Sequence, residues 1–77
     1  MVLYIRTGCP FCNKVLEAAK GMGIQFEEKN IADSAVAAEL VSLGGKQQVP
    51  YLVDGETAMY ESDAIIAYLE KKVSPAS

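Results

Sequence analysis

The only two cysteines of the 77-residue chain, Cys9 and Cys12, enclose Pro10 and Phe11 and follow the apolar run Val2-Leu3-Tyr4-Ile5. A pair this close cannot staple a fold, because bridging it closes a loop of about four residues and removes little chain entropy. Its use is chemical. Pro10 lacks the N–H that goes unpaired at a helix start, so the motif predicts a helix opening there, with Cys9 at its N-terminus and Cys12 one turn in. The helix macrodipole and the free N–H groups of the first turn both favour a thiolate at Cys9. Cys9 is therefore expected to be an exposed nucleophile, and Cys12 the thiol that attacks a mixed disulfide formed on it. The bland alternatives are two incidental core thiols or a zinc half-site, which offers two of the four ligands zinc takes. The hand-over from strand to helix favours a redox pair, with no metal expected.

Composition narrows the rest. His is absent, which removes Ser-His-Asp and Cys-His constellations and His-ligated metal sites. Seven Lys plus Arg against ten Asp plus Glu give a net charge of −3, the wrong sign for a protein that binds a nucleic-acid backbone. No apolar run reaches the ~18 residues of a membrane span, and Arg6 and the cysteine pair come too early for a signal-peptide core. The expectation is a soluble, cytoplasmic monomer with neither a nucleic-acid nor a membrane partner. A chain of this length buries only about 60% of its unfolded surface, so residues 1–77 are expected to form a single domain with one core and one shallow site.

The elements that must position the pair follow from periodicity. Val2–Ile5, apolar on both faces, suits a buried strand. From Cys12 to Met22, the residues Cys12, Val15, Leu16, Ala19 and Met22 form a helical stripe, stopped by Gly21 and Gly23. Residues 25–31 predict a charged edge strand, with Glu27 and Glu28 in solvent. Asp33 or Ser34 is placed to cap a second helix with Val36, Ala37, Leu40, Val41 and Leu43 on one side, ended by Gly44-Gly45. Tyr51-Leu52-Val53 and Thr57–Tyr60 flank Asp54-Gly55, which predicts a type I′ hairpin. Ser62 is placed to cap a third helix striped by Ile65, Ile66, Leu69 and Val73, with Asp63 in the first turn and Ser74-Pro75-Ala76-Ser77 fraying. Tyr4, Phe26, Tyr51 and Tyr68 fit core or strand-face positions, whereas Phe11 is expected to shield the cysteines and offer partners an apolar contact. The order βαβαββα requires a parallel pair across the first helix and an antiparallel hairpin, hence a four-stranded mixed sheet with helices on both faces. Val49-Pro50 opens the third strand, and base rates alone favour a trans bond there.

Tyr4, Arg6, Cys9-Pro10-Phe11-Cys12, Val49-Pro50, Asp54-Gly55 and Ser62-Asp63 resemble the glutaredoxin family over essentially the whole chain. The resemblance implies a thioredoxin-like α/β fold, a cis Pro50 facing the cysteines, and glutathione as co-substrate with no prosthetic group. It also implies that Arg6 meets a glutathione carboxylate, that Gln48 or Lys46 adds a polar contact, and that the backbone of Val49 pairs with the tripeptide. Ser62 and Asp63 would receive the γ-glutamyl end. Implied partners are glutathione and disulfide-containing or glutathionylated proteins. One departure stands out: Tyr60-Glu61 replaces the family's Gly-Gly, and Glu61-Ser62 with Ala64-Ile65 through Tyr68-Leu69 resembles the N-terminal domain of glutathione transferases. The implied activity is dithiol thiol-disulfide exchange. Its alternatives are a dimer holding an iron-sulfur cluster through Cys9 and glutathione, or a thioredoxin-like reductant served by a reductase.

Overall fold

The computed structural model describes residues 1–73, so the predicted fraying of residues 74–77 lies outside the described residues. Strands β1 (Val2–Ile5), β2 (Glu27–Asn30), β3 (Tyr51–Asp54) and β4 (Thr57–Met59) alternate with helices α1 (Pro10–Met22), α2 (Ser34–Gly44) and α3 (Ser62–Val73) in the predicted order. The sheet runs β2-β1-β3-β4, with β1 parallel to β2 and both other pairings antiparallel.

Alternation along the two central strands decides which helix lies where, since neighbouring residues point to opposite faces. Leu3 and Leu52 turn to one face, where they are fully buried against Val15 and Ala19 of α1 and Ile65 and Leu69 of α3. Tyr4 and Tyr51 turn to the other and pack against Leu40 of α2. On that face the Tyr4 hydroxyl donates to Glu39 Oε1, and Lys29 Nζ donates to the same oxygen at 2.8 Å. One carboxylate thus ties α2 to β1 and β2. Burial first, and the Glu39 carboxylate second, push the Tyr4 phenol up to about 12.

Several boundaries differ from the sequence expectation. Strand β2 is four residues long rather than seven, because it finds partners only along the four residues of β1. Glu27 and Glu28 are exposed, as the edge position requires. In α2, Val36 and Ala37 are half-buried and Leu40 fully buried, but Val41 and Leu43 are 41% and 55% exposed. They fall to either side of the stripe that meets Tyr4 and Tyr51. Asp33 supplies the cap of α2, its carboxylate accepting from the Ala35 amide at 2.9 Å.

The hairpin turn is one residue further on than predicted. Asp54 pairs with Thr57, which leaves Gly55-Glu56 as the loop, and only Gly55 has a positive φ, at 62°. That is the pattern of a type II′ turn rather than type I′. Asp54 stays in the ladder because its carboxylate accepts from Tyr68 and Lys72 of α3, both at 2.5 Å. Helix α3 likewise starts one residue off. Ser62 is its first residue, and the Glu61 carbonyl accepts from the Ile65 amide at 3.0 Å, so the cap position falls to Glu61.

Leu40 is the one buried side chain through which α2 enters the core. Leu40→Ala is expected to lower unfolding free energy by about 2–5 kcal/mol, and Leu43→Ala by less than about 0.5 kcal/mol. Denaturant titration of both variants checks the difference.

Candidate active site

Between β1 and α1 the chain turns through Gly8, whose φ of 80° is open to glycine, and the Cys9 amide returns to the Arg6 carbonyl at 3.2 Å. Cys9 is the N-cap of α1 and Pro10 the first helical residue, as the motif predicts. The sulfur of Cys9 accepts from the Cys12 amide at 3.4 Å. A carbonyl of the same residue accepts the first helical bond, from Asn13 at 3.1 Å.

Cys9 is not the exposed residue expected. It is 4% exposed, and Cys12 1%. Pro10 and Phe11 are instead the open members of the motif, Phe11 at 59%, beside a concavity of about 460 Å³ whose walls include Arg6, Cys9, Ile31 and Val49. Cys9 borders that concavity, which is the open space beside its side chain.

Enclosure sets burial against the local dipoles. Burial pushes the Cys9 thiol up. Hydrogen bonds from the Cys12 thiol and from the Cys12 and Phe11 amides, with the Arg6 charge, outweigh it and leave the pKa below the ordinary thiol value. For Cys12, burial, the bond to the Cys9 sulfur and that sulfur's charge act together and push it up to about 11. Cys12 therefore binds its proton more tightly than Cys9, and of the two sulfurs Cys9 is the more readily ionised.

A second concavity of about 400 Å³ continues past Phe11, walled by Gln48, Val49 and Pro50 on one side and Glu61, Ser62 and Asp63 on the other. Phe11, Gln48 and Val49 border both spaces, making one groove. The Val49–Pro50 bond is cis, as the family resemblance implies and against the base rate. Ser62 is 8% exposed at the start of α3. Asp63, one residue on, pairs with Lys14 of α1 at 2.6 Å. Arg6, Cys9, Phe11, Gln48, Val49, Pro50, Ser62 and Asp63 thus all line one groove, with Cys12 buried in the first turn of α1 beside Cys9. Of the alternatives Gln48 and Lys46, Gln48 is on the wall, whereas the Lys46 ammonium lies 5.9 Å from the Tyr60 ring centroid.

Three features escaped the sequence. Glu61 lines the groove with a φ of 25°, and its adjacency to Ser62 was the available signal. Ile31 and Ala32 reach the Cys9 side from the turn after β2. Lys14 finds Asp63 across 49 positions, and nothing in their local sequence announces it.

Residues 3–77 match the family model described as the glutathione S-transferase N-terminal domain. Among solved structures, a glutathione S-transferase from the Antarctic clam Laternula elliptica is 35% identical with a TM-score of 0.82, over 96% of this chain and 35% of that one. Glutathione S-transferase 1-6 from Anopheles dirus species B is 30% identical with a TM-score of 0.83, over 97% of this chain and 37% of that one. A glutaredoxin from Brucella melitensis is 25% identical with a TM-score of 0.67, over 92% of this chain and 77% of that one. The fold is thioredoxin-like, and the chain belongs to the glutathione S-transferase N-terminal domain family. It spans about a third of the length of the transferases it matches.

Because the two sulfurs are displaced in opposite directions, alkylation across a pH series should resolve two steps. Cys9 is expected to react from below the ordinary thiol pKa, since lowering the pKa raises the thiolate fraction at a given pH, and Cys12 only near pH 11. Arg6→Gln removes a charge that favours the Cys9 thiolate and should move the first step to higher pH. Mass mapping of the alkylated cysteines reads both outcomes, and two superimposed profiles would refute the assignment.

Proposed function

We propose that this domain is a glutathione-dependent thiol-disulfide oxidoreductase in which Cys9 is the nucleophile and Cys12 the resolving thiol. The observation that carries the reading is the opposite displacement of the two sulfurs, with Cys9 in the wall of a groove and Cys12 buried behind it. Family membership and the glutaredoxin likeness support glutathione as the small thiol.

With a glutathionylated protein, the Cys9 thiolate attacks the glutathione sulfur. A Cys9–glutathione disulfide forms, the protein–sulfur bond breaks, and the protein leaves as a thiolate that takes a proton from water. A second glutathione thiolate then attacks the sulfur held on Cys9, giving glutathione disulfide and restoring the Cys9 thiolate. With a protein disulfide, Cys9 forms the mixed disulfide and Cys12 loses its proton and attacks Cys9. The second protein sulfur is released and a Cys9–Cys12 disulfide remains, which two glutathiones reduce. Cys12 starts as a neutral thiol and becomes nucleophilic only when Cys9 no longer carries charge, because that charge is one of the causes that raise its pKa.

In this reading Arg6 meets the glycine carboxylate, Gln48 adds a polar contact, and the Val49 backbone beside cis Pro50 pairs with the cysteinyl unit. The γ-glutamyl carboxylate sits at the N-terminus of α3 on Ser62, and its ammonium on Asp63. Asp63 already holds Lys14 through Oδ1, which leaves Oδ2 for that ammonium.

A second reading has equal support from the family match: the groove presents the sulfur of glutathione to an electrophile, as in a transferase. Cysteine substitution separates the two. Under the oxidoreductase reading, Cys9→Ser abolishes reduction of a glutathione mixed disulfide, and Cys12→Ser keeps it within about threefold while losing reduction of protein disulfides. Glutathione conjugation of a chlorinated dinitrobenzene that survives Cys9→Ser, with no disulfide reduction in the unmodified protein, would instead establish the transferase reading.

A further inference from the structure

We infer that Tyr60, which stands where the glutaredoxin pattern has glycine, is a positioning residue that fixes the two walls of the groove relative to one another. The inference rests on the proposed use of that groove.

The walls come from separate parts of the chain. Gln48, Val49 and Pro50 belong to the connector after α2, and Glu61, Ser62 and Asp63 to the start of α3. Tyr60 is bonded to the second wall through the peptide chain and reaches the first through its hydroxyl. The Tyr60 Oη donates to the Lys46 carbonyl at 2.9 Å and accepts from the Lys46 amide at 3.2 Å. Both backbone groups of one connector residue, two positions before Gln48, are thereby held by one side chain. A hydroxyl is suited to this because it donates and accepts at once.

Three further contacts fix the ring. Tyr60 lies against buried Tyr51 with ring centroids 4.4 Å apart, so one side rests on the α2 face of the sheet. The Lys46 ammonium is 5.9 Å from the ring centroid, which keeps that charge with the ring while Gln48 occupies the groove wall. The hydroxyl also fits over Gly44 in the last turn of α2. A Cβ added at Gly44 would stand 2.0 Å from Tyr60 Oη and 2.8 Å from its Cζ. Gly44 and Tyr60 are therefore a complementary pair: glycine leaves the space, and the phenol fills it and pins the connector.

The clamp makes Tyr60 a determinant of how well the groove holds its ligand, without contact to the reacting sulfurs. Tyr60→Phe keeps the ring on Tyr51 and removes both hydrogen bonds. Amide resonances of Lys46, Gln47 and Gln48 should shift, those of Cys9 and Cys12 should stay, and the alkylation profile of Cys9 should be unchanged. With a glutathionylated peptide as substrate, KM should rise about threefold to tenfold, the range expected for losing about one net hydrogen bond, with kcat within about twofold. Gly44→Ala, which displaces the hydroxyl by bulk, should raise KM in the same way, and the double variant should add less than the sum. Unmoved connector amides, an unchanged KM, or a loss confined to kcat in Tyr60→Phe would overturn the inference. Absence of disulfide turnover in the unmodified protein would instead sink the oxidoreductase reading. The amide shifts of the free domain would then decide the clamp alone.

Discussion

The balance that favours a negative charge on the Cys9 sulfur is the interaction on which the rest of the structure bears. Burial opposes that charge, because a nearly enclosed anion has lost most of its water. The start of α1 supplies the replacement: the amides of Cys12 and Phe11 and the thiol of Cys12 face the sulfur, and Arg6 adds a positive field. Burial first, and then the bond to the Cys9 sulfur and that sulfur's charge, raise the Cys12 thiol. Without the amides of the helix start, burial would push the Cys9 thiol up with less to oppose it.

Holding a helix start at that point is the work of the sheet. All four residues of β1 pair with β2 and three of them, Val2, Leu3 and Tyr4, also with β3, and the alternation of Leu3 and Tyr4 anchors helices on opposite faces. Strand β1 ends at Ile5, Gly8 turns the chain, and α1 begins at Pro10 packed on α3 through Val15 and Ala19. The N-termini of α1 and α3 consequently open onto one groove, and the Lys14–Asp63 ion pair bridges them near its rim.

Much of the groove wall comes from segments that have no secondary structure of their own. Gln48 and Val49 of the connector line both halves of the groove, and two residues earlier the Lys46 backbone is held by the Tyr60 hydroxyl. The departure from the Gly-Gly pattern thus has a structural counterpart: bulk added at Tyr60 is accommodated by space left at Gly44. Glu61, the other half of the departure, takes a φ of 25° and caps α3 with its carbonyl.

The chain order of elements, the mixed sheet, the two-sided burial and the role of Pro10 were legible in the residues because each rests on local periodicity or on proline's missing N–H. Cys9, Cys12 and Phe11 were legible from the chemistry of their own motif, whereas Arg6, Gln48, Val49, Pro50, Ser62 and Asp63 were legible as groove residues only through the resemblance to a known family. Tertiary structure alone decided how long β2 is, since an edge strand extends only as far as its partner, and where the hairpin turns, since Asp54 is claimed by α3. It alone decided that Cys9 is enclosed, because the residues over it come from the turn after β2 and the connector before β3. Lys14 with Asp63 and Tyr60 with Gly44 and Lys46 also belong to that class. Their energies depend on distances between segments far apart in the chain, and local sequence carries no record of such distances until the sheet has set them.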